Sequence, residues 1–227
     1  MKLILTCEHG GNEIPTAYKK HFKNKAILKT HRALDLGALD LFQTLKPLSD
    51  AFYFSTTSRL LIELNRSLHH KNLFSEYIKD LAKIEKTKII NTHYLPYRTS
   101  VEDNIRSFIK KGDSVLHLSI HSFTPSLNGE NRNCDIGLLY NSSNKQEKQL
   151  CKQLKLELLK QDPNLNVRFN YPYLGKADGF TTYLRKQFSV HYLGIEIEVN
   201  QKFTIDNVFD SDTKTKLFNA ISVLNTK

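Results

Sequence analysis

Three apolar runs of strand length, residues 3–7, 114–121 and 192–200, each carry or lead into residues capable of chemistry. The first leads into Cys7-Glu8-His9-Gly10-Gly11 and the second closes on Ser119-Ile120-His121-Ser122. The third contains Gly194-Ile195-Glu196-Ile197-Glu198-Val199-Asn200-Gln201. Buried strands separated by helical segments, with reactive groups where the strands end, confine the chain to the α/β class. Open α/β sheets present such groups to a crevice beyond the carboxyl ends of their strands.

The rest of the pattern fits that class. Leu34, Ala38, Leu41, Phe42 and Leu45 share one helical face across residues 32–45. Further strands are predicted at 52–56, 60–64, 135–140 and 167–171, and further helices at 145–159, 179–188 and 212–224. Asp210, Ser211 and Asp212 are the N-cap candidates of the last helix. Residues 73–111 read as helix in pieces, interrupted at Leu95-Pro96 and stopped at Gly112-Asp113. Gly10 and Gly11 are expected to turn the chain through conformations closed to other residues. Alternation along 114–121 puts Val115, His117, Ser119 and His121 on one face, with His117 a hydrogen-bonded core histidine. With no internal repeat and no linker, a single domain over 1–227 is expected.

Composition removes several function classes. No apolar run approaches the roughly 20 residues of a membrane span, and the first strand leaves no room for a signal h-region. The expectation is therefore a cytoplasmic protein with no membrane association. Cys7, Cys134 and Cys151 have neither metal-clip spacing nor an even count, which fits a reducing compartment. The net charge of +10 comes from 33 Lys and Arg against 23 Asp and Glu, with the lysines scattered over predicted helix faces. A nucleic-acid surface would interleave arginines and aromatics on one stripe, so no nucleic-acid partner is expected. A positive field would instead favour an anionic small molecule.

The candidate chemistry is that of a metal site. Catalytic zinc takes three protein ligands from His and Asp or Glu and leaves a position open. His9 and His121 supply two. Asp35, placed by the helical pattern in a first turn, is the candidate third; His31, four residues earlier, is the alternative ligand or a hydrogen-bond partner. Glu196, Glu198 and Asn200 fall on one face of their strand, where either glutamate suits a general base. Glu8 and Glu13 read as exposed residues flanking the first turn. Arg59 and Arg66 bracket an apolar stretch and Arg132 sits in a loop; guanidinium forks match carboxylates.

Taken together, several segments resemble the N-formylglutamate amidohydrolase family. They are Cys7-Glu8-His9-Gly10-Gly11-Asn12, Asp35-Leu36-Gly37-Ala38, Ser58-Arg59 with Leu64-Asn65-Arg66, and His121-Ser122-Phe123-Thr124-Pro125. Asp135-Ile136-Gly137-Leu138-Leu139-Tyr140, Asp178-Gly179 and Glu196-Ile197-Glu198-Val199-Asn200-Gln201 follow in order. The resemblance implies a phosphorylase/hydrolase-like three-layer α/β/α fold with a mixed, mostly parallel central sheet, shared with zinc carboxypeptidases. A weaker likeness to zinc-dependent cell-wall amidases implies His9, Asp35 and His121 as ligands and Glu198 as acid/base. The carboxypeptidase His-x-x-Glu pair is absent, since Asn12 stands three residues after His9.

The reaction implied is zinc-dependent hydrolysis of an N-acyl amino acid, N-formyl-L-glutamate to L-glutamate and formate, in amino-acid metabolism. Arg59 and Arg66 would hold the substrate carboxylates, with Arg132 joining them and Asn200 as an oxyanion donor. Two alternatives stay open: a zinc amidase acting on another N-acyl amino acid or a peptidoglycan amide, and a non-catalytic basic binding module.

Overall fold

The computed structural model describes residues 1–225. In chain order its strands are β1 (Lys2–Cys7), β2 (Ala51–Phe54), β3 (Val115–Phe123), the two-residue β4 (Ser126–Leu127) and β5 (Glu130–Asn131), β6 (Ile136–Leu139), β7 (Val167–Phe169), β8 (Tyr192–Asn200), and the two-residue β9 (Thr204–Ile205) and β10 (Val208–Phe209). The helices are α1 (Ala38–Leu45), α2 (Lys83–Ile89), α3 (Leu95–Lys110), α4 (Lys145–Gln161), α5 (Phe180–Gln187) and α6 (Ser211–Asn225). Six strands form one sheet of order β2-β1-β3-β8-β6-β7. Its neighbours run parallel except where β6 meets β8.

The two faces of the central strands explain the layers. On one side Leu5, Leu118 and Ile195 pack with Leu41 of α1, Leu154 of α4 and Leu217 of α6. On the other, Ile4, Val115 and Tyr192 meet Val101 and Ile105 of α3 and Phe180 and Leu184 of α5. Both faces of these strands are covered, but the face toward α3 and α5 also carries His117, Ser119 and His121 of β3 and Glu196 and Glu198 of β8. Each large side chain buried here contributes about 1.5–3 kcal/mol. This is the mixed, mostly parallel three-layer architecture that the family resemblance implies. A third cluster, including Ile14, Leu34, Leu61, Ile62, Ile89 and Tyr94, gives the long connections before β3 a core of their own.

That third cluster accounts for two differences from the sequence reading. Residues 60–64 form no strand; they turn, and Leu61 and Ile62 are buried in it. The helix predicted over 32–45 starts only at Ala38, because Leu34 belongs to the third cluster while Ala38, Leu41 and Phe42 belong to the sheet-facing one. Gly37 is the N-cap of α1 at φ +79°, where an added Cβ would meet Phe209 and Thr204 at 2.6 Å. Asp35 thus lies in the turn before α1, not in its first turn.

Other local expectations resolve physically. Neither Gly10 nor Gly11 has positive φ; Gly11 is required because a Cβ would stand 2.4 Å from the Thr56 carbonyl oxygen. Pro96 does not break its helix. A π-helical turn, Ile90–Tyr94, joins α2 to α3 without a break, and this wider turn directly before Pro96 accommodates the proline. Asp210 provides the cap of α6, accepting from the Thr213 amide at 2.6 Å. Among the described residues, no helix is long and apolar enough to cross a membrane.

Candidate active site

The carboxyl ends of β1, β3 and β8 lie side by side. Register pairs Thr6 with Ser119, Ser119 with Glu196 and His121 with Glu198, so these side chains project in rows about 4.8 Å apart. His9 follows β1 by two residues. Asp35 reaches the same point from the turn before α1, tied there by its own backbone amide, which donates to the His9 carbonyl at 3.0 Å. His9 Nδ1 and His121 Nδ1 approach a single oxygen, Asp35 Oδ2, at 3.1 and 2.9 Å. All three residues are buried, and their potential ligand atoms lie within 4.8 Å of one another.

The distal ring nitrogens are held by acids that the sequence reading left without a role. His9 Nε2 bonds Glu63 Oε1. His121 Nε2 lies 2.8 Å from Ser119 Oγ and 3.3 Å from Glu8 Oε2. Glu8 is not exposed: it is fully buried and accepts from Ser119 Oγ at 2.6 Å and Tyr97 Oη at 3.1 Å. Arg59 closes the group, donating through Nε (2.8 Å) and Nη2 (2.5 Å) to Glu63 Oε2 and through Nη1 (3.0 Å) to Asp35 Oδ1. Burial opposes the charge on Asp35, but His9, His121 and Arg59 outweigh it and hold the carboxyl well below its ordinary range. Two imidazole nitrogens and a carboxylate oxygen, with each ring oriented from behind by a carboxylate, form a donor set suited to zinc. The residues fit a metal; His31, exposed to solvent, is not among them.

A cavity of about 260 Å³ opens onto this cluster, and Arg59, Asn65, Arg66, Tyr173, Glu196 and Glu198 help to line it. Glu198 is buried and its Oε2 has no hydrogen-bond partner. Burial, aided by Asp35 and Glu196 and opposed by His121, pushes its carboxyl up to about 7. Glu196 Oε1 accepts from Thr181 Oγ1 at 2.6 Å.

The remaining candidates separate by position. Arg66 lines the cavity and bonds the Asp178 carbonyl through Nη1. Arg59 is committed to two carboxylates, yet its side chain keeps 27% of its surface exposed. Arg132 stands behind the wall, donating to Tyr173 Oη at 3.2 Å. Asn200 is withdrawn from the cavity: its Oδ1 caps the turn after β8 by accepting from Lys202 N (2.9 Å), and its Nδ2 donates to the Cys134 carbonyl (2.8 Å). Its amide is spent on the backbone, which removes the basis for a role as oxyanion donor. Glu63 is a lone acid within an otherwise apolar run, but nothing in the sequence ties it to His9, 54 positions away.

The family model for N-formylglutamate amidohydrolase matches residues 1–203. Among solved structures, gene product Atu2144 from Agrobacterium tumefaciens shares the fold at a TM-score of 0.76 and 23% identity, over 98% of this chain and 86% of that one. N-formylglutamate amidohydrolase from Ralstonia eutropha JMP134 superposes with a TM-score of 0.71 at 15% identity, over 99% of this chain and 91% of its own. No curated protein matches in sequence. Since the family match spans nearly the whole chain and runs through every segment that builds the His9–Asp35–His121 cluster, the chain belongs to the N-formylglutamate amidohydrolase family.

Proposed function

We propose that the protein is a zinc-dependent hydrolase of N-acyl acidic amino acids, converting N-formyl-L-glutamate and water to L-glutamate and formate. The observation that carries this reading is the convergence of His9 Nδ1, Asp35 Oδ2 and His121 Nδ1 in one cavity with a buried, unpartnered oxygen of Glu198. Zinc held by His9, Asp35 and His121 would supply a Lewis acid for the amide carbonyl and lower the pKa of water toward ~7.

Glu198 moves the proton. Buried in the cavity with an unpartnered oxygen, its carboxylate takes a proton from the attacking water and, as the C–N bond breaks, delivers it to the departing nitrogen. Glu63 and Glu8 keep the imidazoles aimed, and Arg59 holds Asp35 and Glu63 in register. Arg66 offers the rest of its guanidinium to one substrate carboxylate, and the exposed edge of Arg59 faces the other. Arg132 acts on the substrate only through Tyr173 at the wall. The buried thiols of Cys7, Cys134 and Cys151 support a reducing, cytoplasmic setting.

The test is formate release from N-formyl-L-glutamate by zinc-loaded protein. Turnover that is lost on chelation and restored by zinc is expected. A folded, zinc-loaded protein that releases no formate, or that cleaves N-acetylglutamate or muropeptides in preference, would overturn the substrate assignment.

A further inference from the structure

Arg98, on α3, is a buried cation that the reaction does not use. Its guanidinium lies between the rings of Phe180 (4.3 Å), Tyr183 (4.5 Å) and Tyr94 (4.9 Å). Among the described residues no carboxylate comes within ion-pair distance of it. Aromatic faces compensate part of the desolvation of such a charge. Its polar partners are two backbone carbonyls: Nη1 donates to Leu64 O and to Arg66 O, each at 3.0 Å. Tyr94 Oη donates to the same Arg66 oxygen at 2.7 Å.

Those two carbonyls belong to the peptide units Leu64–Asn65 and Arg66–Ser67, and the N–H of each unit ends on a carboxylate. Asn65 N donates to Glu63 Oε1 at 3.0 Å, the oxygen that also holds His9. Ser67 N donates to Asp178 Oδ2 at 3.1 Å. Each peptide unit is thus clamped between a cation at its oxygen and an anion at its nitrogen, an arrangement in which each hydrogen bond polarises the next. Between the two clamps stand Asn65 and Arg66, whose side chains line the cavity.

We infer that Arg98 is a positioning residue for substrate binding: it fixes the peptide planes on either side of Asn65 and Arg66, and so sets where the Arg66 guanidinium meets the substrate carboxylate. The inference rests on the proposed role of Arg66. A lysine at this position would keep the charge and a donor but not the planar guanidinium that stacks on the three rings.

The experiment compares Arg98→Met and Arg98→Lys with Val101→Ala, a buried apolar change on the same helix that removes no hydrogen-bonding group. Arg98→Met is expected to raise KM for N-formyl-L-glutamate about tenfold or more with kcat within about threefold, as loss of a binding contact should. Arg98→Lys should fall between it and the native enzyme. Hydrogen exchange supplies a readout free of activity: the Asn65 and Ser67 amides should exchange about tenfold faster in Arg98→Met, and as in the native protein in Val101→Ala. Native KM together with native protection in Arg98→Met, or the same KM shift in Val101→Ala, would overturn the inference. Should the native protein release no formate, the proposed substrate falls, and the exchange measurement still decides the role of Arg98.

Discussion

The division of labour among the acids follows from what each carboxylate touches. Asp35 and Glu63 are wrapped by His9 and Arg59, whereas Glu198 keeps an unpartnered oxygen in the same cavity. Glu198→Gln should therefore retain zinc and lose about 10²–10⁴-fold in kcat, the range for removing a general base. Metal analysis beside formate release checks it, and near-native turnover would move the base to Glu196. Glu63→Gln makes a different prediction. The substitution keeps the size of the side chain but removes the charge behind His9, so zinc affinity should fall about 10–100-fold, measured by competition with a chromophoric chelator. The histidines were legible in the sequence because each stands where a strand ends. Their supporting acids were not, since Glu63 meets His9 across 54 positions and Glu8 meets Ser119 across 111. Asn200 misled for the opposite reason. Alternation put it on the face of Glu198, but its Oδ1 caps the turn that follows immediately and its Nδ2 donates to the Cys134 carbonyl.

At the level of elements, the approach to α1 decides where Asp35 sits. The 3.6-residue pattern runs without a break from Leu34 to Leu45, which is why the sequence reads as one helix from residue 32. Burial alone cannot tell two cores apart: Leu34 serves the cluster of long connections and Ala38 the sheet, and the change of direction between them occurs at Gly37. The β9–β10 hairpin locks that bend, with Asn207 Oδ1 accepting from Gly37 N at 2.7 Å and Asp40 Oδ2 from Phe209 N at 3.0 Å. Gly37→Ala meets both a strained φ and two side chains at 2.6 Å. Gly112→Ala, at φ +88° with nothing within 4 Å of its added Cβ, meets the strained φ alone. The second change should cost about 1 kcal/mol and the first clearly more, read as lower denaturation midpoints. Only Gly37→Ala should also weaken zinc binding, because it moves the turn that carries Asp35. Equal losses of stability, or undisturbed metal affinity in Gly37→Ala, would contradict this account.

Across the whole molecule, the order of strands and helices could be read from the sequence because each central strand carries an unbroken apolar face, Leu3 to Cys7, Leu116 to Ile120 and Leu193 to Val199, and puts its polar residues on the other. The pairing of β8 with β3 and the reversal of β6 could not, since strand order is set by packing between distant segments. That order has a consequence for stability. His117 on β3 sits between the neighbouring strands, with Nε2 2.7 Å from Thr6 Oγ1 of β1 and Nδ1 2.7 Å from Tyr192 Oη of β8. Burial pushes its imidazole down to about 4, against 6.5 for the free side chain. The unfolded chain therefore binds this proton first on acidification. The contribution is complete above pH 6.5 and is lost as pH falls from 6.5 through 4, by about 1.4 kcal/mol per unit and about 3 kcal/mol in all. Glu198 acts in the opposite sense: raised to about 7, it favours the folded state as pH falls from 7 toward its unfolded value, so the bulk stability profile mixes these two with the other shifted groups of the site. The difference between native protein and His117→Gln isolates the histidine. In urea unfolding at intervals from pH 7 to 4.5, the stability gap between the two should shrink or reverse by about 1.4 kcal/mol per unit below pH 6.5. A gap that stays constant with pH would mean that His117 is not the buried neutral group that ties the three central strands together.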